Sequence, residues 1–429
     1  MHKLLLDAFF YSLMVGAGES YFAAYSLSLG HSELQAGSLI TLPIVFGGFA
    51  QLISPYIIRK IGAYKPIVLA GVLGQILCLG FLFLSTTLMK SYYGLLFLVV
   101  TVYWIMAMGI MPAWNSWISK LLKIEQIRHF FSLRNSFVGI GTLVGLMISG
   151  LMLQNKSSFL NISTFQIIFV ICFFARSLSM LFLAQHPRVE FVPPVPTNLS
   201  FSPLGEEEKD KFLHQFFIFS SVFKIGVYFA ASFFTPYMLV YLKFSYLEYM
   251  AILVSSFIGR IFIGYFLRKR LARFDINLIY LLSAMGITII PILWPILGNV
   301  EMIFILELIT GMLWGVFEIC FLVTVFEEIP TEKQSVYMTR YNLWHTISIG
   351  IGALLGIVCF YFFKAHAHIY FIIFGISTVL RGISIATFPR RHLTSKLSSF
   401  SDFFRSFGVR PGMGSITRPM WQFLKNLKK

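Results

Sequence analysis

The sequence predicts an all-α membrane protein of twelve transmembrane helices in two pseudo-symmetric six-helix bundles. Three observations carry that reading. Hydrophobic residues make up 57% of the 429 and charged residues only 12%, far from the balance of a soluble domain. Apolar runs long enough to cross about 30 Å of hydrocarbon as helices recur along most of the chain. The chain also repeats itself. Arg128-His129-Phe130-Phe131-Ser132-Leu133-Arg134-Asn135 has a counterpart in Tyr337-Met338-Thr339-Arg340-Tyr341-Asn342, and an offset of 206 carries Arg134 to Arg340 and Gly150 to Gly356.

The expected spans are residues 8–30, 34–58, 66–88, 93–118, 131–153 and 165–185, then 213–241, 246–267, 276–297, 301–326, 343–363 and 369–388. Several are interrupted by Gly or Pro. Organisation follows from them: a six-helix bundle over 1–185, a linker over 186–212, a second bundle over 213–388 and a basic tail over 389–429. The linker is rich in proline and carries Glu206-Glu207-Glu208, as a polar connection between halves should.

Twelve spans put both termini on one side, and basic residues choose it. Of 34 Lys and Arg, four (Lys90, Lys156, Lys243, Lys364) fall in the loops of the opposite side and four (Arg176, Lys224, Arg260, Arg381) well inside spans; the remaining 26, with Arg134 counted at the mouth of span 5, lie with the termini. That asymmetry predicts cytoplasmic termini in an inner (plasma) membrane. The net charge of +16 is then a consequence of topology, and no nucleic-acid partner is expected. Cys78, Cys172, Cys320 and Cys359 all fall in apolar spans and read as small buried residues. No metal constellation, nucleophile motif or phosphate-cradling loop occurs, so no enzyme, cofactor or ATP-driven machine is expected.

Charges at membrane depth each require a reason. In span 1, Glu19 stands in Gly16-Ala17-Gly18-Glu19-Ser20-Tyr21; it is the first candidate for proton coupling or for binding a substrate amine. Its alternative is a structural carboxylate bonded to helix seven. After span 2 comes Arg59-Lys60-Ile61-Gly62-Ala63, matched after span 8 by Arg268-Lys269-Arg270-Leu271-Ala272. Arg134 and Arg340 stand at the mouths of spans 5 and 11, and Arg176 and Arg381 at equivalent places on spans 6 and 12; symmetry assigns these arginines gate or structural duties. Lys224, in span 7, maps near Gly16 and is a candidate to pair with Glu19, to bind an anion or to snorkel to the surface. Glu307 and Glu318 share a face of span 10 and are further candidates. Tyr21, Trp114, Asn115, Tyr237 and His345 are candidates for the cavity lining. The tail, with nine Lys or Arg against Asp402 and a spaced series of Phe, suits the anionic face of a membrane.

Over residues 5–390 the chain resembles the major facilitator superfamily of secondary transporters. Pro112-Ala113-Trp114-Asn115-Ser116-Trp117, followed by Arg128 to Asn135, is similar to the fourth span, inner loop and fifth span of a widespread bacterial branch. Pro330-Thr331-Glu332-Lys333 and Tyr337 to Asn342 resemble the matching region of the second half. The sequence departs from the family pattern after span 2, where Ser54 and Ile58 take the places of the usual Gly and Asp, and in span 5, where Leu146 follows Gly145 in place of a Gly-Pro signature. The resemblance implies alternating access between the halves for a small-molecule solute, and a first helix that lines the cavity. With Glu19 there, proton coupling is the expectation. The rival readings are a multidrug or metabolite exporter, an uncoupled facilitator, and a transporter-like receptor or scaffold acting through the tail.

Overall fold

The computed structural model describes residues 2–122, 124–155, 162–192, 208–267, 275–329 and 331–389. The first half comprises α1 (His2–Ala17), a 3-10 turn (Glu19–Tyr21), α2 (Phe22–Ser28), α3 (Glu33–Ile61), α4 (Lys65–Leu84), α5 (Thr86–Ser91), α6 (Tyr93–Gly109), α7 (Met111–Leu121), α8 (Ile124–Gln154) and α9 (Thr164–Ala184). The second comprises α10 (Glu208–Ala231), α11 (Phe234–Pro236), a π-helical turn (Tyr237–Tyr241), α12 (Tyr246–Leu267), α13 (Ile276–Leu297), α14 (Val300–Glu328), α15 (Thr331–Phe363) and α16 (Ile369–Ile385).

Local chemistry sets the helix ends. Ser32 with Gln35, and Ser163 with Gln166, form reciprocal capping boxes that start α3 and α9. Asp275 and Asn299 cap α13 and α14. Gly62 and Gly298 close α3 and α13 at φ 66° and 63°, in the left-handed region that glycine enters freely.

Ten of the expected spans are long and apolar enough to cross a membrane. The other two differ from a plain rod. Span 1 is broken into α1, the 3-10 turn and α2, and span 12 is the 17-residue α16. Span 7, expected as one helix, is broken after Ala231. Spans 5 and 11 begin earlier than their apolar runs, at Ile124 and Thr331, because polar first turns continue the helix beyond the hydrocarbon-length stretch.

The packing follows the repeat. In the first half α1 lies against α8 and α9, α4 against α6 and α9, and α3 against α6. In the second, α10 lies against α15 and α16, α13 against α14 and α16, and α12 against α14. Moving from the first half to the second, each pair maps onto its mate, which makes two pseudo-symmetric six-helix bundles. Two seams join them, α3 with α15 and α8 with α12, and these also exchange under the repeat. Small residues permit the closest approach within a bundle: a Cβ on Gly16 would stand 2.1 Å from the Thr142 carbonyl oxygen, and one on Gly356 would stand 2.1 Å from that of Phe229. Large side chains such as Leu77, Leu84, Tyr265 and Phe362 point outward, as a lipid-facing surface requires.

The hydrophobic cores divide unevenly. One end of the molecule, the terminal end, carries residue 2, the 62–64 turn and residues 186–192; the far end carries the turns at 29–32, 85–92, 242–245 and 364–368. At the far end a single core runs through both halves, with Tyr21, Phe22 and Phe169 packed in one continuous cluster with Phe233, Tyr249 and Phe374. At the terminal end each half has its own core, around Trp117 and Phe130 in one and Phe216 and Tyr280 in the other. The halves therefore meet at the far end and part toward the terminal end.

Of the expected linker, residues 186–192 run along the first half: Tyr64 Oη donates to the Val192 carbonyl at 2.6 Å, and Trp117 Nε1 to that of Pro187 at 3.1 Å. Lys65 Nζ holds the carbonyls of Ala184 and His186 at 2.7 and 2.6 Å. Residues 193–207, which hold most of the proline-rich stretch, and the tail 390–429 lie outside the described residues. Cys78, Cys172 and Cys320 are buried and Cys359 half-buried, all as free thiols.

Candidate functional site

The break in span 1 places its acid. α1 makes its last turn with Gly18 N–H donating to the Met14 carbonyl at 2.8 Å, and the chain then tightens through Glu19–Tyr21. Leaving the regular ladder frees backbone groups for other partners. Ser20 O accepts a hydrogen bond from Tyr249 Oη of the second half at 3.0 Å. Tyr21 packs edge-on to Tyr249, ring centroids 5.6 Å apart, and donates to the Leu146 carbonyl at 2.9 Å. Glu19, half-buried, turns toward α6 and accepts a short hydrogen bond from Tyr103 Oη. It pairs with no basic residue among the described ones.

Span 7 breaks near the corresponding level. Pro236 cannot supply a backbone N–H, and the following π-helical turn stacks Tyr237 on Tyr241 at 5.2 Å. Just before it, Ser232 Oγ and Thr41 Oγ1 meet across the halves at 2.9 Å. Further out, Tyr370 donates a short hydrogen bond to Glu33, and Gln154 Oε1 accepts from Leu247 N–H at 3.4 Å. These hydrogen bonds between the halves cluster at the far end.

Below Glu19, the first half holds a buried polar chain. Arg176 Nε and Nη2 donate to Gln75 Oε1 at 3.0 and 2.5 Å, and its Nη1 to Ser179 Oγ at 2.8 Å. Ser179 Oγ in turn donates to Asp7 Oδ1 at 2.6 Å. The guanidinium also stands 4.8 Å over the Tyr11 ring. Arg381 repeats the theme: its Nη1 donates to the Ile287 carbonyl at 2.9 Å, so each arginine ties the last helix of its half to the third. Sequence reasoning missed Asp7, Gln75 and Tyr103. Asp7 fell one residue outside the first expected span; an acid inside the first helix, read as part of the span, would have been the signal. Nothing in sequence marks Tyr103 or Gln75 among other polar residues of the spans.

In the second half, Lys224 is not paired with Glu19. Its ammonium lies over the rings of Trp314 and Phe317, 4.7 and 5.8 Å from their centroids. Glu318 is engaged by Arg260 at 3.3 Å, both side chains half exposed. Glu307 faces Ser256, Trp294 and Thr310. His345 neighbours Lys224 and lies 5.5 Å from the Tyr341 ring.

Of the remaining candidates, Asn115 is exposed on α7 beside Trp114, which is buried beneath the Arg134 guanidinium at 4.6 Å. Tyr21 and Tyr237, expected to line a cavity, are buried in the far-end core. Arg59 is exposed in the last turn of α3, with Ile58 buried beside it where the family has an acid. Arg340 stands in α15, and Arg268 lies outside the described residues.

The candidate site thus comprises two charged groups: a first-half acid backed by a buried arginine network, and a second-half lysine set in aromatic rings. Each group is held within its own half, and above them the tyrosines of the far-end core join the halves. No curated protein sequence matches this chain. Solved structures share its fold. The nucleoside transporter NupG is 17% identical, with a TM-score of 0.66 over 90% of this chain and 98% of its own. A POT family transporter in complex with 5-aminolevulinic acid is 13% identical, with a TM-score of 0.67 over 91% of this chain and 96% of its own. A D-xylose-proton symporter is 12% identical, with a TM-score of 0.63 over 89% of this chain and 94% of its own. The model of the Major Facilitator Superfamily matches residues 4–353, most of the sequence, and the chain belongs to that superfamily.

Proposed function

We propose that this secondary transporter moves a small solute by alternating access and couples it to protons through Glu19. One observation carries the coupling: an acid at the break of span 1, held by a tyrosine hydroxyl and by no basic residue, one position from the Ser20 carbonyl that bonds the other half. A carboxyl held by a neutral hydroxyl and not locked in an ion pair is free to exchange a proton, and its neighbour in the same turn takes part in closure. The excess of basic residues on the terminal side supports cytoplasmic termini in a plasma membrane. With that orientation the tyrosine plug closes the outside, and the halves part toward the cytoplasm.

The test is proton movement in proteoliposomes loaded with a pH-sensitive dye and exposed in turn to nucleosides, sugars, amino acids and short peptides. At least one class should acidify or alkalinise the lumen with wild-type protein. Glu19→Gln should abolish that signal while leaving solute exchange between equal pools intact. Solute flux that Glu19→Gln leaves fully pH-driven would sink the coupling role.

A further inference from the structure

Lys224 has no ion-pair partner among the described residues. No carboxylate or hydrogen-bond acceptor among the described residues reaches its ammonium, which rests only on the faces of Trp314 and Phe317. The acids of the site are committed elsewhere: Glu318 to Arg260 and Glu19 to Tyr103. Glu318 attracts it from a distance while engaged by Arg260, and Arg381 and Arg260, of its own sign, oppose that attraction. Ring faces attract an ammonium, but they accept none of its three N–H donors as an anion does. An ammonium held at membrane depth in this way is less favourable than a paired one.

We propose that the solute carries an anionic group that binds Lys224 Nζ, with a flat or apolar body lying against Trp314. Trp314 is half-buried and backed by Phe223 and Phe317, at 6.4 and 5.5 Å, so its indole is held as a platform. The same rings that leave the ammonium unsatisfied thus supply a stacking surface beside it. This inference rests on the transporter reading and narrows its substrate class. It is opposite in sign to an amine bound at Glu19, where the tyrosine already occupies the acid.

The first measurement is thermal unfolding of the full chain in lipid nanodiscs with benzoate, phenyl phosphate, benzamide and benzylamine at matched concentrations. An anionic probe should raise the unfolding temperature where the neutral and cationic ones do not, by mass action on the folded state. The gain should vanish in Lys224→Gln and persist in part in Lys224→Arg; benzoate and phenyl phosphate separate a carboxylate from a phosphate preference. The second measurement needs no fitted ligand. A cysteine at Ser221, one turn from Lys224 on α10, is labelled with a sulfonate-bearing and a trimethylammonium-bearing methanethiosulfonate. The sulfonate should have the advantage, and Lys224→Gln should shrink the rate ratio about tenfold. The proposal is overturned if benzylamine or benzamide protects as well as benzoate, if Lys224→Gln keeps the protection, or if the labelling ratio ignores that substitution. Should those results come from protein that still moves protons with a solute, the anion site fails alone. Should anion binding depend on Lys224 in protein that moves no protons, the coupling role fails alone.

Discussion

Tyr249 donates a hydrogen bond to the Ser20 carbonyl across the two halves, at 3.0 Å, one residue after the acid of span 1. A carbonyl is available there because the helix is broken; in an unbroken α-helix it would face the N–H four residues on. The far-end closure and the position of Glu19 are therefore set by one three-residue turn.

Removing the Tyr249 hydroxyl tests that closure. Tyr249→Phe keeps the ring packing on Tyr21 and deletes a hydrogen bond worth about 1 kcal/mol. Opening of the far end should become about fivefold more populated. Labelling of a cysteine at Leu34, at the edge of the shared core, should accelerate by that factor. An unchanged rate would mean that the bond does not hold the gate.

Tyr103 should matter to coupling without being the proton carrier. Tyr103→Phe removes the donor to Glu19 and leaves the acid in place. Proton movement driven by solute should fall several-fold but persist, whereas Glu19→Gln should eliminate it. Equal loss in both variants would assign the tyrosine a larger role than holding the acid.

The buried chain from Asp7 through Ser179 to Arg176 should behave as a unit. Arg176→Met strands Asp7 and should cost about 3–5 kcal/mol, read as a large drop in unfolding temperature. Asp7→Asn should cost less, because Ser179 and Gln75 still engage the guanidinium. The double variant should recover part of the loss, and strict additivity would contradict the coupling.

His186 gives a pH signature at the terminal end. Burial foremost, then the nearby positive charges of Lys3 and Lys65, hold its imidazole below the ordinary value of 6.5. The unfolded chain therefore takes up the proton first, and stability is lost as pH falls below that value. Between about pH 7.5 and about pH 5.5 the unfolding temperature should fall more in wild type than in His186→Gln. The site is half-buried, so the difference will be modest.

The doubled architecture was legible because hydropathy and the Arg134–Arg340 register are written at fixed spacing, and a bilayer leaves few alternatives to helices. Glu19 and Lys224 stood out because charge is rare in apolar spans. Their partners did not. Whether Lys224 meets Glu19 or Trp314 depends on rotation of α10 against α14, which sequence spacing within a helix cannot report. Tyr21 and Tyr237 read as lining because aromatic residues of one hydropathy serve both chamber and plug. The breaks in spans 1 and 7 were only partly marked: Gly16 and Gly18 announce the first, while Pro236 lies several residues past the end of α10.

The single aromatic core at the far end, set against two separate ones at the other, has a thermal consequence. Opening that end must wet rings that are now dry, and the penalty for wetting apolar surface grows as ambient temperature rises from the cold. Warming within the physiological range should make the resting orientation firmer rather than looser. Chilling should let it drift open.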